Sequence, residues 1–142
     1  MAKLRTYLDT GVLIAAFNGD QAAHDAAFAV VDDPEREFIT TDILRLELLP
    51  KAIFHKQLAE AAFYEEYFKA AVQNVPIESN SIEDAYKLAT RCGLSAFDSL
   101  HVQLAMDGAA VEFVTTEGPT KPFFRISAPS LKMTSLIRAA ST

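Results

Sequence analysis

Tryptophan is missing from this chain of 142 residues, and cysteine occurs once, at Cys92. A single thiol excludes an internal disulfide and offers no zinc-type ligand set, so packing is the expected role of Cys92. Long apolar runs are also missing. The longest uncharged stretches, Thr10–Gly19 and Ala70–Ile77, fall far short of the roughly 20 residues that span a bilayer, and the amino-terminal residues do not form the apolar core of a signal peptide. A soluble, cytoplasmic protein with no membrane segment is expected. Internal repeats, linkers and low-complexity segments are absent too, so residues 1–142 read as a single domain.

Positive charge is in short supply. Thirteen Lys and Arg stand against nineteen Asp and Glu, a formal net charge of −6, which argues against nucleic-acid binding through a broad basic surface. Clustered carboxylates can still approach a phosphate when divalent cations reverse the local sign. What the chain has in quantity is apolar side chains, half of all residues, enough for one core.

The stretch Lys3–Ala16 organises the rest. Leu4, Tyr7 and Leu8 suit a buried strand that stops near Thr10-Gly11, because Val12–Phe17 lacks alternation and continues as helix. Asp9 then stands at the carboxyl end of a strand, where open α/β sheets bind ligands, although either Asp9 or Thr10 would also serve as a helix cap. Further helices are expected over Ala22–Val31, over Ile43–Leu49 closed by Pro50, over Gln57–Val72, over Ile82–Cys92 behind a Ser81-x-x-Asp84 capping box, and from Ser95 to about Asp107. Strands are expected at Glu37–Thr40, Asn74–Glu78, Val111–Thr115 and Phe123–Ile126, followed by a carboxyl-terminal helix over Pro129–Ala139. The aromatic stripe Phe63, Tyr64, Tyr67 and Phe68 is wider than one packing face of a small domain needs, and points to a homodimer.

Alternating strands and helices imply a three-layer α/β/α sandwich with a mostly parallel sheet of four to five strands. In it Asp9 and Glu117 lie at strand ends, while Glu47 and Asp98 lie on helices that begin just after a strand or its loop. Each has an ordinary alternative: Glu47 as an ion-pair partner of Lys51, Asp98 as half of a Ser95-x-x-Asp98 capping box, Glu117 as a turn residue. His101, one turn beyond Asp98, fits a packing or hydrogen-bonding role. Converging carboxylates repel one another and are easiest to keep ionised when cations bind among them. Oxygen-only ligation selects hard ions, Mg²⁺ or Mn²⁺.

The stretches YLDTGVLI around Asp9, TDILRLELL around Glu47, LSAFDSLHVQLA around Asp98 and FVTTE ending at Glu117 resemble the successive motifs of PIN-domain ribonucleases, including the VapC toxins of type II toxin–antitoxin modules. The resemblance implies Mg²⁺- or Mn²⁺-dependent cleavage of single-stranded RNA by Asp9, Glu47 and Asp98, with Glu117 orienting water or a second ion, and an antitoxin as partner. Two positions depart from the family pattern. Gly11 stands where Ser or Asn is usual, and the last motif has Glu117 in place of Asp, without a second acid following. Lys51, Lys121 and Arg125 are candidate phosphate contacts. The competing readings are a catalytically inactive PIN-like module that binds RNA or protein, and an aspartyl-nucleophile phosphatase, which would carry Asp-x-Asp where this chain has Asp9-Thr10-Gly11.

Overall fold

The computed structural model describes residues 2–128 and 130–137. Strands β1 (Leu4–Leu8), β2 (Arg36–Thr41), β3 (Gln73–Val75), β4 (Glu112–Thr115) and β5 (Lys132–Ser135) form one sheet in the order β3-β2-β1-β4-β5, and every pairing is parallel. Because successive strand residues face opposite ways, a sheet covered on both sides needs apolar residues at neighbouring positions. Tyr7 and Leu8 of β1 and Phe113 and Val114 of β4 meet that need, and all four are fully buried.

The two faces collect two cores. Leu8 and Val114 pack against α1 (Thr10–Asn18), α2 (Gln21–Val31), α3 (Asp42–Phe54) and α4 (Leu58–Ala70), while Tyr7, Ile39 and Phe113 pack against α5 (Ser79–Cys92), α6 (Ala96–Asp107) and the 3₁₀ turn Pro122–Arg125. The result is the expected α/β/α sandwich, with all five strands parallel. Cys92 lies buried in the second core. No helix among the described residues is long and apolar enough to cross a membrane.

Four local expectations change. Helix α3 runs through Pro50 instead of ending there; the carbonyl that a proline leaves unpaired is that of Leu46, an exposed residue that water reaches. Phe123–Ile126 is not a strand but the region of the 3₁₀ turn, with Pro122 at its first position and Phe123 buried against Phe113. The described part of 129–139 holds strand β5 where a helix was expected, and 129 and 138–142 lie outside the described residues. The capping box of α5 is formed by Glu78 and Ser81, not by Ser81 and Asp84.

The aromatic stripe is used inside the subunit. Tyr64 and Tyr67 are buried, Phe63 meets Phe17, and Tyr67 meets Phe38, so the stripe that suggested a dimer is part of the core.

Toward the amino ends of the strands, a buried ion pair closes the sheet. Arg36 Nε donates to Glu112 Oε1 at 2.9 Å, Thr134 donates to Glu112 Oε2 at 3.0 Å, and Arg36 also binds Asp33. Burial alone would raise the Glu112 carboxyl, but its bonds with Arg36, Thr134 and Thr6 outweigh burial and hold it below the usual range. A lowered carboxyl adds stability above the ordinary glutamate range and loses it as pH falls through the native value. Arg36→Met, which leaves Glu112 charged and without its cation, is therefore expected to cost about 3 kcal/mol near neutral pH. The cost should shrink at about pH 3, below the ordinary glutamate value, because Glu112 of the variant, buried without its cation, takes up a proton more readily than that of wild type. Urea unfolding at the two pH values checks this, and a cost independent of pH would contradict it.

Candidate active site

The connections from β1 lead outward through β2 to β3, whereas β4 and β5 lie on its other side, so the strand order reverses between β1 and β4. At such a switch point the loops leave in opposite directions and open a crevice at the carboxyl ends. Asp9 follows β1 directly, and its backbone N–H donates to the Val114 carbonyl at 2.9 Å. Its carboxylate accepts from Thr10 N–H at 2.8 Å and from Thr115 Oγ1 at 3.0 Å. Asp9 is thus the cap of α1 and a strand-end acid at once. Burial raises its carboxyl above the ordinary aspartate value; His101 and the bonds from Thr115 and Thr10 lower it, and Asp98 raises it further.

Glu47 and Asp98 reach the same place from two helices. Thr41 caps α3 by accepting from Leu44 N–H at 3.2 Å, and Glu47, further along that helix, binds His101 Nε2 through Oε1. Its partner is therefore His101 and not Lys51. His101 is 1% exposed, and its Nδ1 lies against Tyr7 Oη, which is also 3.0 Å from Thr41 Oγ1. Ser95 caps α6 by accepting from Asp98 N–H at 3.2 Å. The return bond that would complete a capping box is absent among the described residues, leaving the half-buried Asp98 carboxylate free. Burial keeps the Tyr7 phenol well above its ordinary value, its bond with Thr41 opposes the rise, and the charges of Asp9 and Glu47 add to it.

Asp9, Glu47 and Asp98 thus gather around the Tyr7–His101 pair. Glu117 makes no side-chain hydrogen bond to this group among the described residues. It is exposed beyond β4 and is linked to the site through its backbone N–H, which donates to Thr115 Oγ1 at 3.0 Å. Residue-by-residue reading left Tyr7 as core, His101 without an assigned partner and Thr115 as a strand residue. The one available signal was the i, i+3 spacing of Asp98 and His101.

A cleft of about 510 Å³ opens beside Glu47, lined in part by Asn18, Lys51, His55 and Glu60. Lys51 thus keeps its candidacy as a phosphate contact. Arg125 is exposed, and its Nη1 donates to the Cys92 carbonyl at 3.3 Å at the end of α5. Lys121 is exposed in the loop after β4.

Among the described residues, no three His, Cys, Asp or Glu side chains enclose a common point as a ready-made metal cage. The donor set still suits Mg²⁺, which keeps several waters and takes one or two carboxylates together with substrate phosphates. Asp9 and Asp98 supply such a pair, and the buried Thr10 hydroxyl next to Asp9 has no partner among the described residues.

A family model described as PIN domain matches residues 6–117. No curated protein matches the chain. Among solved structures, the chain is similar to one in the crystal structure of VapBC2 from Rickettsia felis bound to a DNA fragment from their promoter, with TM-score 0.66 and 16% identity over 92% of this chain and 98% of that one. A toxin–antitoxin complex from Klebsiella pneumoniae gives 0.62 and 21% over 89% and 94%. DNA-bound VapBC from Salmonella typhimurium gives 0.61 and 17% over 94% and 99%.

Gly11 has a local explanation. A Cβ there would collide with Thr116 Oγ1, so the hydroxyl of Thr116 occupies the space that a side chain at position 11 would take. Gly11→Ala should accordingly be more favourable in a Thr116→Ala background than in wild type, by about 1 kcal/mol. Thermal unfolding of the two single variants and the double variant measures this coupling, and simple additivity would contradict the contact.

Proposed function

The chain belongs to the PIN-domain family, and from that premise we propose that it is a nuclease, specifically a Mg²⁺- or Mn²⁺-dependent endoribonuclease that cleaves single-stranded RNA. The observation that supports the proposal is Asp9 at the switch point, bonded to Thr115 and near enough to Asp98 that the charge of Asp98 raises its carboxyl, with Glu47 bonded to His101 one turn along α6 from Asp98. Buried acids that repel one another weaken a fold unless they serve a cation or a reaction.

Asp9 and Asp98 would hold the ion, with Glu47 supplying the oxygen that His101 leaves free. A divalent cation held there would supply the acidity of a bound water and the positive charge that offsets the scissile phosphate. Thr115 and the Thr10 backbone fix the Asp9 carboxylate, which spares it reorientation when substrate arrives. Lys51 at the cleft beside Glu47 is suited to draw a phosphate toward the acids. Glu117, on the rim, would orient water or a second ion. The aspartyl-nucleophile alternative has no second aspartate to draw on, since position 11 is glycine.

We also propose a toxin role with an antitoxin partner in the cytoplasm, supported by the toxin–antitoxin complexes among the similar structures. Exposed Leu46, Ile53, Phe54 and Leu58 offer apolar surface of the kind that partners cover. The proposed homodimer now rests on Ile82, Tyr86 and Phe97, which line an apolar groove along α5 and α6.

Asp9→Asn keeps the shape of the cap and removes the charge. It should lower Mg²⁺-dependent RNA cleavage at least about 100-fold while leaving circular dichroism unchanged, and EDTA should silence the wild type. Cleavage by the variant near the wild-type rate, or wild-type cleavage insensitive to EDTA, would overturn the assignment, and a wild type that cleaves no RNA with either ion would favour the binding-module reading.

A further inference from the structure

We propose that His101 is a positioning residue for Glu47, holding one carboxylate oxygen through Nε2–H so that the other is presented to the site, with Tyr7 and Thr41 fixing the ring from behind. The proposal rests on the reading of Asp9, Glu47 and Asp98 as one nuclease site.

The order of donors follows from the partners. Carboxylate oxygens accept and do not donate, so the bond between Glu47 Oε1 and His101 Nε2 uses the hydrogen on the ring. In the tautomer whose single ring hydrogen sits on Nε2, Nδ1 is an acceptor and Tyr7 Oη is the donor beside it. Tyr7 Oη then accepts from Thr41 Oγ1 at 3.0 Å, and Thr41 Oγ1 accepts from Leu44 N–H at 3.2 Å. Every hydrogen in the row finds an acceptor.

The row also closes on itself. It starts at Leu44 N–H in the first turn of α3, passes through the end of β2, the last residue but one of β1 and one face of α6, and returns to Glu47 on α3. β1 leads directly into Asp9, and α6 carries Asp98. One set of hydrogen bonds therefore fixes the carboxylate of Glu47 relative to the elements that carry both other acids. A glutamate whose side chain is 31% exposed would otherwise sample several rotamers and lose that freedom when it binds. A purely structural Tyr7–His101 pair would fill the same space without engaging Glu47. Glu47 is the only carboxylate that His101 hydrogen-bonds among the described residues.

Mn²⁺ titration of the metal-free protein by calorimetry, with no RNA present, tests the role. His101→Leu should weaken Mn²⁺ binding roughly 10- to 100-fold, the range typical when a group that orients a ligand is lost. His101→Gln, whose amide N–H still reaches Glu47, should recover most of that loss, and Tyr7→Phe should fall between. Nitrogen-15 spectra of wild type need no variant: the His101 ring should carry its hydrogen on Nε2, and that signal should persist when Mg²⁺ is added. Folded His101→Leu that binds Mn²⁺ as wild type does, or a wild-type ring that shifts its hydrogen to Nδ1 or releases Glu47 when Mg²⁺ binds, overturns the positioning role and leaves the nuclease site standing. Wild type that binds no Mn²⁺ at millimolar concentration overturns both. If His101→Leu fails to fold, the wild-type spectra and the Gln and Phe variants decide.

Discussion

Burying a phenol and an imidazole against the centre of a parallel sheet is costly unless each finds hydrogen-bond partners, because an unpaired buried polar group costs as much as the bond it lacks. Tyr7 and His101 answer each other, and their remaining bonds go to Thr41 and Glu47. This exchange joins β1, the entry to α3, and α6. Those three elements deliver Asp9, Glu47 and Asp98, so the constraint that satisfies the core also sets where the acids meet. Moving any one element would leave a buried donor or acceptor unpaired.

The two ends of the sheet handle charge in opposite ways. At the amino end Glu112 meets Arg36, Thr6 and Thr134, every charge is answered, and the result serves stability. At the carboxyl end the charge of Asp98 raises the carboxyl of Asp9, and among the described residues Lys51 is the one Lys or Arg lining the cleft beside Glu47. An excess of acid at a switch point is poor for stability and suited to holding a cation against a phosphate. The overall charge of −6 agrees with a protein that approaches nucleic acid through such a local site and not through a basic face.

Much of this was legible in the sequence, and the exceptions have physical causes. Asp9 and Glu117 could be placed at strand ends because short apolar runs stop at polar pairs, and the cap at Ser95 follows from a residue whose side chain accepts a helix N–H. Pro50 misled because a proline usually ends a helix, yet here its missing bond falls at an exposed residue. Strand β5 has four residues on an edge, too few for alternation to stand out from helical spacing. The aromatic stripe looked too wide for one face because the faces it meets, Phe17 on α1 and Phe38 on β2, are distant in sequence. His101 went unassigned for the same reason: its partners lie 54 and 94 residues away.

The central claim is that the acids form one electrostatic site, and the melting temperature of Asp98→Asn against wild type, in EDTA and then in millimolar Mn²⁺, tests it most directly. Above the raised native value of Asp9, the wild type carries the full penalty of two neighbouring charges. Neutralising Asp98 should therefore raise the metal-free melting temperature, with the gain fading as pH falls from that raised value to the ordinary aspartate range. Added Mn²⁺ should stabilise wild type more than the variant, by mass action at the native site. Equal melting temperatures that Mn²⁺ does not move would make Asp98 a helix residue with no part in the site, and would contradict the account.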